Sequence, residues 1–301
     1  MMLSNGKVAK YPNKLTDNDI VKALECCGGN CDTCNLYPAE CVGDIGLRIN
    51  QIYNIDCVKG MKHIFDNSID LTITSPPYDK MRKYKGYDWD FETTAKELYR
   101  ITKQGGVVVW VVGDSTVKGS ETGTSFKQAL YFKECGFNLH DTMIWYKSGM
   151  IPTQDRYYNV FEYMFVFSKG KPKTMNFICD HKTTAGGRVQ KKDACINKGN
   201  QKDGIGTFVR KDYSRRPNIW KIPIGKNKET QGHPAPFPEQ LAKDHILSWS
   251  NEGDVVLDPF MGSGTTAKMA LLNNRNYIGF EISNEYCEIA NERVKTVEYR
   301  F

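Results

Sequence analysis

Residues 254–266 read DVVLDPFMGSGTT, and this stretch decides the fold that the sequence predicts. A β-branched run precedes the Gly-x-Gly pair, a helical pattern follows it, and the next strand ends at Glu281. This order is the nucleotide-binding unit of open α/β sheets. Gly262 and Gly264 allow the backbone to approach a ligand closely, and the helix N-terminus favours a negative group. Glu281 is placed to accept hydrogen bonds from both hydroxyls of a ribose.

The same loop differs from a dinucleotide-binding loop in two ways. The third glycine of that fingerprint is missing, with Thr266 or Ala267 in its region, and Asp258-Pro259 precedes the glycines. A carboxylate at this point can pair with an ammonium group. S-Adenosylmethionine carries an ammonium where a dinucleotide carries only phosphates, so the loop favours S-adenosylmethionine as the cofactor.

A second motif, TSPPY at residues 74–78, follows the apolar run at residues 69–73. Two consecutive prolines fix φ and remove two amide donors, so neither a helix nor sheet pairing continues through them. Residues 75–78 therefore form a rigid ledge at the carboxyl end of a strand, where open α/β sheets place their chemistry. Taken alone, such a motif is more often an ordinary turn that ends a strand.

Strands alternate with helices through most of the chain, which predicts an open, mostly parallel α/β sheet. The clearest strand is the β-branched run at residues 107–112, which is typical of a buried parallel strand. A stretch without sustained apolar periodicity interrupts the pattern at residues 169–230, and we expect an inserted, loop-rich element there. The α/β pattern resumes at Pro238.

The net charge of +6 is unevenly distributed. Sixteen Lys or Arg against four Asp lie between Lys169 and Lys228, so the rest of the chain is slightly acidic. Such a concentration fits a polyanion-binding face, and a solvated lysine-rich loop fits it equally well. No apolar run reaches the length of a membrane span, and the first residues contain no signal-peptide core, so a cytoplasmic location is expected.

Five of the ten cysteines lie within sixteen residues near the N-terminus. Cys31 and Cys34 have the spacing of zinc ligands, and Cys41 with Cys26 or Cys27 would complete a tetrahedral thiolate set. A segment with so small a core would gain stability from a structural zinc. Reduced, partly buried thiols are the alternative.

The two motifs at residues 74–78 and 258–266 resemble the catalytic and cofactor motifs of amino-methylating DNA methyltransferases. Their order, with a variable basic region between them, resembles the beta-ordered group of that family from about residue 51 to the C-terminus. The resemblance implies a Rossmann-like methyltransferase sheet with circularly permuted motif order, S-adenosylmethionine as the cofactor, and double-stranded DNA as the substrate. A homodimer and a cognate restriction nuclease are further partners that it suggests.

The resemblance also adds single residues to the site. Asp56 resembles the acid near the cofactor's adenine, although a helix cap would explain it as well, and Phe237 resembles a wall of the methionine pocket, although core packing would also explain it. Asp114 ends a strand at the correct sheet edge, or is structural. The full predicted cofactor set is Asp56, Phe237, Asp258, Pro259, Phe260, Gly262, Gly264, Thr265 and Glu281.

The predicted catalytic residues are Ser75, Pro76, Pro77 and Tyr78. An exocyclic amine is a poor nucleophile because its lone pair is delocalised into the ring, so oxygen acceptors must hold its protons and orient it. Ser75 and the Pro76 carbonyl would do this, and Tyr78 would stack on a base flipped out of the duplex. The chain contains no Pro-Cys dipeptide, which argues against methylation at carbon 5 through a cysteine nucleophile.

Ser at the first ledge position is typical of cytosine-N4 members of the family, whereas Asp or Asn is commoner in adenine-N6 members. We therefore expect methylation of cytosine N4, with adenine N6 as the alternative. A nucleotide-dependent oxidoreductase would leave the ledge and the basic insert unexplained. A non-catalytic nucleic-acid-binding module is a third interpretation.

Four ranges follow from these patterns. Residues 1–50 form an N-terminal arm and a Cys-rich module, residues 51–168 the catalytic half, residues 169–232 the target-recognition insert, and residues 233–301 the cofactor-binding half. Two groups of side chains are candidates for contacts with DNA: Lys80, Arg82, Lys83, Tyr84, Lys85, Tyr87 and Trp89 after the ledge, and Arg188, Arg210, Arg215 and Arg216 as guanine readers in the insert.

Overall fold

The computed structural model describes residues 47–77, 89–151, 155–184, 186–191, 207–224 and 238–298. Its helices are α1 (Cys57–Met61), α2 (Phe91–Ile101), α3 (Thr124–Glu134), α4 (Glu239–Trp249), α5 (Thr265–Leu272) and α6 (Asn284–Glu298). Its strands are β1 (Gln51–Tyr53), β2 (Ile69–Thr74), β3 (Thr102–Val112), β4 (Thr116–Val117), β5 (Ser120–Glu121), β6 (Asn138–Ile151), β7 (Asn159–Ser168), β8 (His181–Lys182), β9 (Val189–Lys191), β10 (Thr207–Val209), β11 (Tyr213–Ser214), β12 (Ile219–Lys221), β13 (Val255–Asp258) and β14 (Asn276–Phe280).

Eight strands form the main sheet in the order β1-β14-β13-β2-β3-β7-β6-β12. All neighbours are parallel except at β7, which runs antiparallel to both β3 and β6. The prediction of an open, mostly parallel α/β sheet is confirmed. The strands β13 and β14 follow all the others in the sequence, yet β13 pairs with β2 and β14 pairs with β1, as the permuted motif order requires.

The core consists of two apolar layers, one on each face of the sheet. Alternate residues of the run at 107–112 point to opposite faces, because successive side chains of a strand do so. Val107, Val109 and Val111 pack with the buried faces of α4, α5 and α6. Val108, Trp110 and Val112 pack with α1, α2 and α3. Burial of each such side chain contributes about 1.5–3 kcal/mol, and this explains why the run is apolar throughout.

The described part of the insert contains short strands between its loops. The strands β8 and β11 pair antiparallel, and so do β9 and β10. Backbone hydrogen bonds connect these two short ladders: Thr183 N donates to Asp212 O at 2.8 Å, and Gly187 N donates to Arg210 O at 3.0 Å. We call this two-stranded element the ribbon, comprising residues 178–184, 186–191 and 207–216.

The strand β12 was not predicted. It extends the main sheet beyond β6 in parallel register, with Trp220 opposite Trp145. The ribbon is therefore continued directly into the catalytic sheet. The four predicted ranges remain predictions. Among the described residues, none of the helices is long and apolar enough to cross a membrane.

Candidate active site

The ledge and the Gly-rich loop meet at one edge of the sheet. The parallel strands β2 and β13 are neighbours, so the segments that follow them emerge side by side. A hydrogen bond joins them directly: Thr74 Oγ1 donates to Asp258 Oδ1 at 2.7 Å. Both side chains are buried, with 1% of Thr74 and 5% of Asp258 exposed. The structure thus brings together the two motifs that the sequence singled out.

Asp258 stabilises the start of the cofactor loop, which we define as residues 258–264. Besides the Thr74 hydroxyl, Thr266 Oγ1 donates to Oδ2 at 2.7 Å, and Phe260 N donates to Oδ1 at 3.0 Å. Burial raises the pKa of Asp258 to about 6, although the three hydrogen bonds favour its charged form. The residue was predicted to pair with the cofactor ammonium. That role stays a prediction, and the structure adds a structural one.

Glu281 lies at the end of β14 and contacts the same loop. Gly262 N donates to its Oε2 at 2.8 Å, and Ser283 N donates to its Oε1 at 2.8 Å. Burial raises the pKa of Glu281. A carboxylate offers about four acceptor sites, so each oxygen keeps capacity for another donor. These two acceptor oxygens fit the two hydroxyls of a ribose, which would donate to them.

The two glycines have backbone conformations that side chains rarely adopt. Gly262 has a φ of +52° and Gly264 a φ of +81°. A Cβ atom on Gly264 would lie 2.8 Å from Ala290 Cβ and 2.9 Å from Ala290 Cα of α6. Gly264 is therefore required for packing of α5 on α6, a reason that the sequence did not reveal.

Arg293 of α6 stabilises the cofactor loop. The sequence did not predict this role. Its Nη1 donates to Ser263 O at 2.6 Å and to Thr265 Oγ1 at 3.1 Å, while its Nη2 donates to Glu239 Oε1 at 2.8 Å. Arg293 is buried. No sequence signal could have found it, because it lies in a polar helix where cations are common.

The other predicted cofactor residues of the loop are packed within the protein. Pro259 and Thr265 are buried, and Phe260 is partly buried. The Phe260 ring meets Trp89 edge-on at 5.0 Å and Trp110 at 6.4 Å between centroids. Trp89 was a candidate for gripping substrate, and the structure corrects this by placing it in the aromatic cluster under the loop.

On the ledge itself, Ser75 and Pro77 are partly exposed and Pro76 is buried. Ser75 thus lies where a substrate can reach it, one residue beyond the Thr74 hydrogen bond. Tyr78 lies outside the described residues, as do Phe237 and the charged and aromatic candidates between positions 80 and 87.

Of the two aspartates that the sequence left open, Asp56 is the N-cap of α1, and Asp114 accepts hydrogen bonds at the start of α3, whose N-cap residue is Gly123. Asp56 Oδ1 accepts a hydrogen bond from Lys59 N at 3.0 Å at the start of α1. Asp114 Oδ1 accepts from Ser125 N at 2.9 Å and from Thr122 Oγ1 at 3.2 Å before α3. The helix-cap explanation of Asp56 is therefore observed, and contact with an adenine stays a prediction.

The predicted metal ligands Cys26, Cys31, Cys34 and Cys41 lie outside the described residues. Within the described ranges, no group of three or more His, Cys, Asp or Glu side chains could hold a metal ion. The four cysteines that are described, Cys57, Cys135, Cys179 and Cys287, are free thiols. Structural zinc stays a prediction about the N-terminal segment.

A mostly parallel sheet, a Gly-rich loop beside the ledge and an acid at the end of the next strand define a Rossmann-like methyltransferase fold. A family model described as DNA methylase, which groups N6 and N4 enzymes, matches residues 69–292. The chain belongs to this family of DNA amino-methyltransferases. It is therefore an S-adenosylmethionine-dependent enzyme that acts on DNA.

Individual relatives agree with this assignment. The orphan methyltransferase M.BamHII of Bacillus amyloliquefaciens is 61% identical over 248 residues, which cover 78% of this chain and 91% of the relative. The DNA adenine methyltransferase YhdJ of Escherichia coli is 27% identical over 282 residues, covering 84% of this chain and 85% of the relative. The solved structure of PvuII DNA methyltransferase (cytosine-N4-specific) shares the fold, with a TM-score of 0.60, 20% identity, and coverage of 83% and 91% of the two chains.

Proposed function

We propose that the chain methylates the exocyclic N4 of cytosine in duplex DNA, after base flipping, by direct in-line transfer. The observation that carries this proposal is the Thr74–Asp258 hydrogen bond. It fixes Ser75, the first residue of the ledge, beside the cofactor loop. A methyl donor in that loop and an amine on that ledge would face each other across this bond.

The ledge would orient the amine and take no proton from it before transfer. The N–C bond would form as the S–C bond of the sulfonium breaks, and the surplus proton on the methylated nitrogen would then pass to solvent water. The Ser75 hydroxyl and the Pro76 carbonyl accept the two amine hydrogens, so that the nitrogen lone pair leaves conjugation with the ring and points at the methyl group. Ser75 has no pKa suited to general-base work at neutral pH, and its role is hydrogen bonding. Tyr78 stacks on the flipped base.

Several residues present fit S-adenosylmethionine. Glu281 would accept from the ribose hydroxyls, and Gly262 and Gly264 would let the backbone approach the ligand. Asp56 and Phe237 are proposed to contact the adenine and the methionine portion. When bound, this cofactor supplies an electrophilic methyl group on a sulfonium sulfur.

Serine at the first ledge position supports cytosine N4, and the specificity stated for PvuII DNA methyltransferase agrees with it. Adenine N6 is the alternative, and the stated specificity of YhdJ belongs to that class. The basic insert is proposed to bind the duplex, where Lys and Arg contacts to phosphates would offset the few kcal/mol that base flipping costs.

The decisive experiment is nucleoside mass spectrometry and base-resolved sequencing of DNA from cells that express the chain. N4-methylcytosine at one sequence is expected, and it should be lost in Ser75→Ala. Ser68→Ala, at the opposite end of β2, is the matched control and should keep the modification. N6-methyladenine would instead select the alternative, and DNA without a new methylated base would overturn the proposal.

Three further proposals concern assembly. Zinc bound by Cys26, Cys31, Cys34 and Cys41 predicts one equivalent of metal in the purified chain and less in Cys31→Ser, measured by elemental analysis. The second proposal is a homodimer, for which sedimentation equilibrium should give twice the chain mass.

The third proposal is a cognate restriction nuclease. Such an endonuclease should fail to cut DNA that carries the same modification.

A further inference from the structure

One guanidinium joins both strands of the ribbon to helix α4 of the cofactor-binding half. Arg216, at the end of the ribbon, donates from Nε to Asp180 Oδ1 at 3.1 Å and to Asp180 Oδ2 at 3.0 Å. Its Nη1 donates to Asp244 Oδ2 at 2.6 Å. Asp180 lies at the start of the ribbon, and Asp244 lies on α4. The three residues, which we call the clamp, therefore connect the two ends of the ribbon to one helix.

The clamp is partly buried and its charges depend on each other. Asp244 is 5% exposed, and its other oxygen accepts from Gln240 Nε2 at 2.6 Å. A buried carboxylate that loses its cation is costly, so Arg216 is held in place. Pairing with Arg216 lowers the pKa of Asp180, although Asp180 is half exposed.

Stacked rings support the same guanidinium. Arg216 lies over the Trp220 ring, with 5.1 Å between the guanidinium carbon and the ring centroid. Trp220 in turn stacks on His245 of α4 at 4.4 Å. Burial lowers the pKa of His245 to about 3, so the imidazole is neutral and adds no charge beside Arg216. Asp180, Asp244 and the Trp220 ring therefore surround the guanidinium group of Arg216.

Helix α4, which the clamp contacts through Asp244, also binds a residue that holds the cofactor loop. Glu239, at the first position of α4, accepts from Arg293 Nη2 at 2.8 Å and from Lys268 Nζ at 2.9 Å. Arg293 is the residue that holds Ser263 and Thr265. Helix α4 therefore fixes the ribbon in the same frame as the cofactor loop.

The remaining cations of the ribbon have a different environment. A two-stranded ribbon fits the major groove of DNA, and exposed cations along it match the charge of the phosphates. Five such side chains are exposed in the described part of the ribbon: Lys182, Arg188, Arg210, Lys211 and Arg215.

We infer that Arg216 is a positioning residue, which sets the angle of the ribbon on α4 and thereby the register in which the ribbon reads its DNA target. The inference rests on the proposed role of the insert in target recognition. It corrects the candidacy of Arg216 as a guanine reader, because its donors are directed at Asp180 and Asp244.

The test compares Arg216→Gln with Arg100→Gln, which removes the same charge from a partly buried ion pair on α2, outside both the clamp and the ribbon. Two duplex oligonucleotides serve as substrates. One contains the target sequence, identified beforehand by base-resolved sequencing of methylated DNA, and the other differs from it by one base pair. For each variant, kcat/KM is measured on both duplexes, DNA affinity is measured against salt, and S-adenosylmethionine affinity is measured by equilibrium binding.

Arg216→Gln should lower the ratio of kcat/KM for target over altered duplex by about tenfold, since a mismatch in a specific site ordinarily costs between a few-fold and a hundredfold. Its slope of log affinity against log salt should equal that of the native chain, because no phosphate contact is lost. Cofactor affinity should be unchanged. Arg100→Gln should keep the discrimination ratio.

A salt slope reduced by about one unit in Arg216→Gln, with discrimination retained, would identify a phosphate contact and overturn the inference. Equal loss of discrimination in both variants would overturn it as well. If Arg216→Gln does not fold, Asp180→Asn removes the exposed half of the clamp, and discrimination unchanged in that variant counts against the inference. A native chain that methylates no DNA would instead refute the proposed function.

Discussion

The cofactor loop and the ribbon are attached to the rest of the protein by different kinds of contact. The loop is held by buried hydrogen bonds from β2, β14, α5 and α6, each made by a side chain with a fixed partner. The ribbon is narrow and has exposed side chains, and the clamp ties its base to α4. Under the proposed function, chemistry and recognition would be separated. The reacting groups need one rigid geometry, whereas a ribbon that reads DNA could change its exposed side chains without disturbing that geometry.

The largest expected effect comes from Gly264→Ala in the cofactor loop. The new Cβ would meet the Ala290 backbone in addition to adopting a φ of +81°, which together should cost about 3 kcal/mol or more of unfolding free energy. Gly119→Ala is the matched control, because Gly119 has a φ of +80° and a Cβ added there would have no atom within 4 Å. It should cost only about 1 kcal/mol. Urea unfolding measures both, and equal costs would contradict the packing role of Gly264.

A second prediction uses pH. Because burial raises the pKa of Asp258 from 3.8 to about 6, the folded chain binds this proton more tightly than the unfolded chain does. The contribution of the group to stability is greatest below pH 4 and declines by roughly 3 kcal/mol as the pH rises to about 6. Asp258→Asn cannot titrate. The native chain should therefore lose stability relative to this variant between pH 4 and 6.5 in urea unfolding, and parallel curves would show that Asp258 is not perturbed.

A third prediction tests the hydrogen bond between the ledge and the loop. Thr74→Val leaves the buried Asp258 carboxylate short of one donor, which should cost about 1–3 kcal/mol and lower kcat, while Thr74→Ser should retain both. Thr72→Val is the control on the same strand. Thr72 Oγ1 is buried without a hydrogen-bond partner among the described residues, so this substitution should be neutral or stabilising. A larger loss of unfolding free energy in Thr72→Val than in Thr74→Val would contradict the stabilising role of the hydrogen bond between Thr74 and Asp258.

The smallest effect on stability is expected in the ribbon. Arg188 is exposed, so Arg188→Gln should change the unfolding free energy by less than about 0.5 kcal/mol. If the ribbon contacts phosphates, this variant should bind DNA more weakly and reduce the salt slope by about one unit. Filter binding at several salt concentrations measures the slope. A stability loss comparable to that of Thr74→Val would remove the contrast between the two regions.

The sequence was sufficient for the sheet and for the two motifs because their signals are local. Six consecutive apolar residues at 107–112 predict a strand with both faces covered, and Gly-x-Gly between a strand and a helix predicts a loop that binds a ligand. Each motif was placed after a strand of the sheet, and the structure shows that these two strands, β2 and β13, are parallel neighbours.

The features that the sequence did not reveal depend on contacts between residues that are far apart in the chain. Thr74 and Asp258 are separated by 184 positions, and no local pattern indicates their hydrogen bond. The strands β8 and β11 have two residues each, too few for a period of two to be visible. Gly105 and Gly106 lie within β3 where its register with β2 is interrupted. Their backbone pairs instead with Lys169, which is distant in sequence: Gly105 N donates to Lys169 O at 2.7 Å, and Lys169 N donates to Gly106 O at 3.1 Å.

The position of β13 between β14 and β2 also has a consequence for the synthesis of the chain. When β2 leaves the ribosome, its neighbour on one side, β3, follows within a few tens of residues, but Asp258 of its other neighbour, β13, lies 184 positions after Thr74. At the usual rate of translation, the delay between Thr74 and Asp258 is on the order of ten to forty seconds. Throughout that interval the nascent protein carries an open strand edge, and it acquires a complete methyl-transfer site only when its last strands arrive.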